Sequence, residues 1–412
     1  MKFLIVQALW SLLNAADIID TLSRMGYEVE EYPKLLKSIS ELSDDDVGEL
    51  VEYVKEHHVQ VILSISFIMN VALAAYKGGI KYVSVLWDAP YTDVYNPLSR
   101  LENVWISTFD KLDRERFSAN GMPHVLYQPL SVNRENLLKW NKDIQETLQG
   151  HYMHDISFIG SLYDGNAYKK SLKYIPMQMQ YYFNSIFEEA VFKWDGVNRI
   201  CGQTSAEIID YIKRISPKFV IPNRQDIEDV RYFEIIGLIR EAANIERIAV
   251  LNLLAEDHSV MLYTTEHKAA EEKLKGVKIG PPVEYGKATA LVYAGSKINL
   301  NISLKGIEGG TPQRIMDIMG AGGFVLTSYC AETAELFKED QEIVMFRTPE
   351  ELVEKVDYYL AHESEREEIA QRGYEKVMKC YTYENKLSEL IAWIMKEKEL
   401  NAIYDERERI IG

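Results

Sequence analysis

Cysteine is nearly absent. Three occur in 412 residues, Cys201, Cys330 and Cys380, far apart in sequence. That pattern excludes a disulfide framework and fits a reducing compartment, so a cytoplasmic location is expected. Positive charge is also in short supply. Lys and Arg total 46 against 63 Asp and Glu, a formal net charge of -17. No nucleic-acid partner is expected, because a phosphate backbone requires a basic face. No run reaches the roughly 20 apolar residues of a membrane span, so no transmembrane segment is expected. The start, residues 1–7, turns polar too soon for a signal peptide and reads as a first buried strand. A P-loop, a dinucleotide fingerprint after the first strand and a nucleophile elbow are all missing. So are internal repeats and low-complexity stretches.

What is present is alternation. Apolar strand patterns at 2–6, 27–31, 59–65, 82–86, 103–108 and 125–127 are separated by helical spacing at 14–25, 47–56 and 69–76. A polar segment over 133–154 follows, and a new strand at 155–161 ends in a glycine turn. Residues 163–245 read as mostly helical and aromatic. Strand patterns resume at 259–264, 297–302, 324–327 and 342–346, with charged amphipathic helices at 349–361 and 363–380 and a last helix over 384–399. The chain is long enough for two full cores. The spacing predicts an α/β protein of two doubly wound, Rossmann-like domains in series. One spans 1–152 and one 153–383, the second with a helical insertion over 163–245. Ligands of such sheets bind at the carboxyl ends of strands, at the switch point, so two facing domains make a cleft.

The stretch from Gly309 to Asp317, continuing into Gly320-Ala321-Gly322-Gly323, predicts a glycine hinge, a short helix, a tight turn and a buried strand. Thr311 suits the cap and Pro312 the first helical position. Free amides of the first turn favour an anion. Arg314 can fork onto a diphosphate. Asp317, three residues on, can accept hydrogen bonds from two ribose hydroxyls. An unliganded loop-to-helix junction, with Arg314 and Asp317 as a surface ion pair, gives the same pattern.

Other candidates carry similar alternatives. Gly160 and Ser161 end a strand and can offer amides to a diphosphate, or simply turn. Asn301 and Lys305 follow another strand; Lys305 can neutralise a departing phosphate or be a solvated lysine. Asp88, after a buried strand, can serve as general base or cap a proline turn. Trp10 and Trp87 can stack on a sugar or join the core. Asp44-Asp45-Asp46 reads as a helix N-terminus rather than a metal triplet. His151 and His154 lack further ligands nearby, so no metal site is expected.

The residues from Asn301 to about Leu390 resemble the C-terminal domain of GT-B-fold glycosyltransferases, nearest the spore-maturation-protein-like (CgeB-like) branch. The resemblance rests on Thr311-Pro312-Gln313-Arg314-Ile315-Met316-Asp317, Gly322 to Thr327, Glu335-Leu336-Phe337 and Tyr383-Glu384-Asn385. Leu86-Trp87-Asp88 and Asp155 to Tyr163 look like the N-terminal domain of this branch. The resemblance implies metal-independent transfer of a sugar from a nucleotide-sugar donor, most simply a UDP-sugar, to a cell-surface, protein or glycan acceptor, without a cofactor. It implies an acceptor-binding N-terminal domain and a C-terminal helix, about 384–412, packed back on it. By that resemblance Arg314 would hold the diphosphate and Asp317 the ribose. The residue reading adds Gly309, Gly310, Thr311, Gln313, Gly160, Ser161, Asn301 and Lys305 around the donor and Asp88 as base. Many relatives in the wider fold carry two glutamates here. Asp317 matches the later one as a shorter acid. The earlier has no match, since the residue at the required spacing from Glu308 is Met316. A nucleotide-sugar epimerase, or a non-catalytic coat or assembly protein, would share this fold.

Overall fold

In the computed structural model, residues 1–8, 15–39 and 41–395 are described. Trp10 and the expected tail beyond 395 lie outside them. The first sheet holds β1 (Lys2–Ile5), β2 (Glu28–Glu31), β3 (Val61–Ile65), β4 (Lys81–Val85), β5 (Val104–Thr108) and β6 (His124–Tyr127), in the order β2-β1-β3-β4-β5-β6. The second holds β7 (His154–Ile159), β8 (Val260–Tyr263), β9 (Lys278–Gly280), β10 (Ser296–Asn301), β11 (Val325–Ser328) and β12 (Val344–Phe346), in the order β12-β11-β10-β7-β8-β9. Every pairing is parallel. β3 and β5 are buried along their whole length, as a sheet covered on both faces requires. The doubly wound reading therefore holds for both halves.

Two elements differ from the sequence reading. β9 has only three residues and lies at the sheet edge, too short to show a pattern. The polar segment after β6 folds as a helix, Arg134–Leu148, started by the Asn133 side chain accepting from the Asn136 amide at 3.0 Å. Its thin apolar stripe, Ile144 and Leu148, packs on Ala290. The acidic triplet at 44–46 opens the helix Asp44–Glu56, with the Ser43 hydroxyl accepting from the Asp46 amide at 3.2 Å.

The insertion has its own aromatic core, with Tyr168, Phe183, Phe187, Phe219 and Phe233 mutually packed. It also reaches the first domain. Asp226 pairs with Arg100 at 2.7 Å and Gln225 donates to Asp93 at 2.6 Å. From the chain's other end, a helix entered at Tyr383 lays Leu387, Leu390, Ile391 and Ile394 on Phe3, Ile5, Leu63 and Val83 of the first sheet. Trp393 meets Trp105 edge-on at 4.5 Å.

A clasp joins the domains. Asp110, fully buried, caps the helix Lys111–Ala119 by accepting from the amides of Leu112 (2.9 Å) and Asp113 (3.1 Å). Its other oxygen accepts from the amides of Glu308 (3.1 Å) and Gly309 (3.0 Å) in the second domain. The Lys111 amide donates back to the Gly309 carbonyl at 2.8 Å. A Cβ on Gly310 would stand 2.9 Å from the Phe109 carbonyl oxygen, so only glycine lets the two backbones meet there. Asp110→Ala strands four amides at once. We expect it to lower unfolding free energy by about 2–3 kcal/mol, the loss of a cap plus buried hydrogen bonds. Urea denaturation checks this, and an unchanged midpoint would remove the clasp from the account.

Candidate active site

The order of the second sheet reverses between β7 and β10, so its switch point lies where Gly160 follows β7 and Asn301 ends β10. Arg314 occupies that point. It projects from the helix Gln313–Gly320 and donates to Asn301 Oδ1 at 2.7 Å. Its guanidinium lies over the Phe158 ring, 5.0 Å from the centroid. A Cβ on Gly160 would stand 2.8 Å from its Nη2, so the missing side chain makes room for the guanidinium. Asn301 is fully buried, and its amide donates to Ser303 and Thr327 at 2.9 Å each, which fixes the oxygen offered to Arg314.

A second guanidinium shares this place. Arg247, from the helix Ile239–Leu254, lies over the rings of Phe158 and Tyr163. It donates to the carbonyls of Ser161 (2.5 Å) and Ile302 (2.8 Å), and its Nε is left without a partner. Burial, with Arg314 among the secondary contributions, lowers its pKa to about 10. Among the described residues neither guanidinium has a carboxylate within ion-pair distance. The switch point thus concentrates two guanidinium groups, neither closed into an ion pair among the described residues. Sequence spacing gives no hint of Arg247, because a long insertion separates it from β7.

Asp317, half-buried, lies next along the cleft. Its Oδ1 accepts from Gln313 Nε2 at 2.7 Å and from the Tyr285 hydroxyl at 3.2 Å. Burial raises its carboxyl to about 7, against the pull of those hydrogen bonds and of Arg314, while Asp17 of the first domain pushes it up. Arg314 and Asp317 therefore form no surface ion pair.

Several expectations about the surrounding residues change. Thr311 does not cap the helix. Its hydroxyl is spent on Glu332 and on Thr333, and Pro312 takes the cap position with no side chain accepting there. The Gly309 amide is spent on Asp110, and Gly310 stands against Phe109, so these glycines serve the clasp. Ser161 donates to Glu266 at 2.5 Å. The same carboxylate gathers the amides of Leu162, Tyr163 and Asp164, with Tyr163 at φ 58. Burial opposes ionisation of Glu266, but the hydroxyl and the amides outweigh it and hold its pKa low. That anion nest is filled from within the chain. Lys305 lies in a buried pair with Glu246 at 2.9 Å and donates to the Lys193 carbonyl at 2.7 Å.

Asp88 stands just beyond β4, before the Ala89-Pro90 bond, and Pro90 packs at Gly306 of the second domain. The protein around it raises its pKa, with Arg240 opposing. Trp87 belongs to the interior, with Lys386 over its ring at 5.4 Å. His154 meets the Tyr263 hydroxyl at 2.8 Å. Among the described residues no group of three or more His, Cys, Asp or Glu is placed to hold a metal ion. None of their helices is long and apolar enough to cross a membrane.

Comparisons with known proteins fit this picture. Residues 240–392, which contain Arg247, Asn301, Arg314 and Asp317, match a family described as glycosyl transferase-like. None of the curated proteins matches the chain in sequence. The fold is similar to a glycosyltransferase from Rickettsia africae ESF-5, at 10% identity and a TM-score of 0.54 over 96% of this chain and 98% of that one. It is similar to Anabaena HepE in complex with UDP-glucose, at 11% identity and a TM-score of 0.50 over 95% and 99%. It is also similar to a Neisseria meningitidis UDP-GlcNAc 2-epimerase bound to UDP-GlcNAc, at 12% and 0.51 over 96% and 100%. The chain has the two-domain architecture of the GT-B fold, and its second domain carries a glycosyl transferase-like segment.

Proposed function

We propose that this protein transfers a sugar from a nucleotide-sugar donor, a UDP-sugar in the first instance, to an acceptor held by the first domain. The observation that carries the reading is Arg314, set at the β7/β10 switch point with no carboxylate partner among the described residues and oriented by a buried Asn301. The donor diphosphate would lie against Arg314 and the uncapped start of the helix Gln313–Gly320. Asp317 would accept from the ribose. As the sugar leaves, negative charge grows on the diphosphate, and a preorganised guanidinium stabilises it without rearrangement. Asp88, just beyond β4 of the first domain, would take the proton of the acceptor hydroxyl, and its raised pKa makes it a stronger base. In this reading no metal or cofactor is needed. The two named neighbours solved with UDP-sugars support the choice of donor class.

The test is acceptor-dependent release of UDP from UDP-glucose and UDP-GlcNAc. An epimerase reading, favoured by the Neisseria neighbour, predicts sugar isomerisation with no acceptor present. Neither release nor isomerisation across a broad donor and acceptor panel would sink both.

The pH dependence of binding follows from Asp317. A ribose hydroxyl donates best to the ionised carboxylate, and in the free protein that carboxyl ionises at about 7. Binding therefore requires loss of a proton below that pH. Affinity for UDP should rise about tenfold between pH 6 and pH 8 and then level off. Titration calorimetry at three pH values measures it. Asp317→Asn should remove the slope that the nucleotide's own titration does not supply.

A further inference from the structure

Asp17 lies in the first turn of the helix Ala15–Arg24, in the first domain. Its Oδ1 accepts from two amides of the linker, Asn133 Nδ2 at 2.8 Å and Asn136 Nδ2 at 2.7 Å. Oδ2 has no hydrogen-bond partner among the described residues. Across the cleft, Asp317 is built the same way, with Oδ1 held by Gln313 and Tyr285 and Oδ2 without a partner among the described residues. Both carboxylates line one pocket, whose remaining walls include Trp140, Tyr285 and Tyr293. Each carboxylate is thus oriented through one oxygen and leaves the other for a ligand.

A third group lies within the electrostatic reach of both carboxylates. Tyr383 enters from the helix that crosses back to the first domain and is 1% exposed. Its hydroxyl has no hydrogen-bond partner among the described residues, although both Asp17 and Asp317 act on its ionisation. A buried hydroxyl without a partner is costly, and the charges of both carboxylates reach this one. Gln313 Oε1, on the side chain that holds Asp317, is also buried and without a partner among the described residues. The pocket therefore presents two carboxylate oxygens without donors among the described residues, between aromatic walls. A phosphate fits such walls badly. Adjacent hydroxyls match the carboxylate oxygens, because each hydroxyl both donates and accepts.

We infer that Asp17 is a second carboxylate for the ligand's vicinal diol, so that the first domain, as well as Asp317 of the second, reads the ribose of the donor. The inference rests on the nucleotide-sugar reading above and extends it. Ribose would be held from both domains at once, and its two hydroxyls would separate carboxylates that otherwise repel across the cleft. Asp17 is a specificity-determining residue here and takes no part in bond breaking.

Calorimetry with UDP, GDP and ADP, each beside its 2′-deoxy counterpart, tests this on the full chain. The native protein should prefer the ribonucleotide of its cognate base by about tenfold, the worth of a hydrogen bond to a charged acceptor. Asp17→Ala should bring that ratio to within about twofold and weaken the deoxynucleotide little. Should Asp17→Ala fold poorly for want of its asparagine partners, Asp17→Asn keeps the shape and should still lower the ratio. A folded variant that binds with an unchanged ratio overturns the inference and leaves the nucleotide-sugar reading standing. Failure of every nucleotide to bind the native protein overturns that reading, and the inference with it.

Discussion

Arg314→Ala is expected to lower kcat/KM for the nucleotide sugar by about 10²–10³-fold while leaving the fold intact. The large functional effect follows from geometry. The guanidinium stands at the switch point, and no other cation on the helix Gln313–Gly320 can replace it. The small structural effect follows from the neighbours. The alanine variant loses one hydrogen bond to Asn301, whose amide stays tied to Ser303 and Thr327. It also removes one of two like charges beside Phe158, and that relief of Arg247 offsets part of the loss. Arg314→Lys should rescue little, because a point charge cannot fork onto two phosphate oxygens or lie flat on the Phe158 ring. Steady-state kinetics and a melting curve are read together. Unchanged kcat/KM in the folded variant would end the assignment of this site.

Lys305→Met should act in the opposite way, costing about 3–5 kcal/mol of stability through the buried charge it strands. Glu246 is wholly buried, and its Oε1 accepts from Lys305 and from the Phe192 amide, while Oε2 has no partner. Burial already raises its pKa, with Lys305 the main opposing influence. Without the lysine the carboxyl takes up a proton on folding. The native state then binds more protons than the unfolded state, so the defect should shrink as pH falls. A double change, Lys305→Met with Glu246→Leu, should recover much of the loss. Guanidinium melts at two pH values check this. A Lys305→Met protein of native stability with impaired donor binding would return this lysine to the phosphate role its sequence position suggests.

The two cases mark where sequence reading succeeds. Buried parallel strands are near-continuous apolar runs, so β3 and β5 are visible without coordinates, and with them the doubly wound architecture. Arg314 and Asp317 are legible because helical spacing binds them to one short segment. The partners of a charge are not legible. Nothing near Lys305 in sequence announces Glu246, and nothing near β7 announces Arg247. Glycines mislead for a related reason. Gly309 and Gly310 have the composition of a ligand-binding turn, yet close approach of backbone to ligand and of backbone to backbone demand the same missing side chain. The helix Arg134–Leu148 escaped because only a thin stripe of it is apolar.

The clasp bears on how this chain could be recombined. Two-domain proteins invite the building of hybrids by cutting at the linker and joining one half to a foreign partner. Here such a cut would part Asp110 from the amides of Glu308 and Gly309, and Phe109 from the glycine that tolerates it. The insertion would lose Arg100 and Asp93 at the same stroke, and the crossing helix its seat on the first sheet. The transplantable unit is therefore not a domain. It is a domain together with the patches of its neighbour that complete it, and a workable hybrid must carry both sides of each joint.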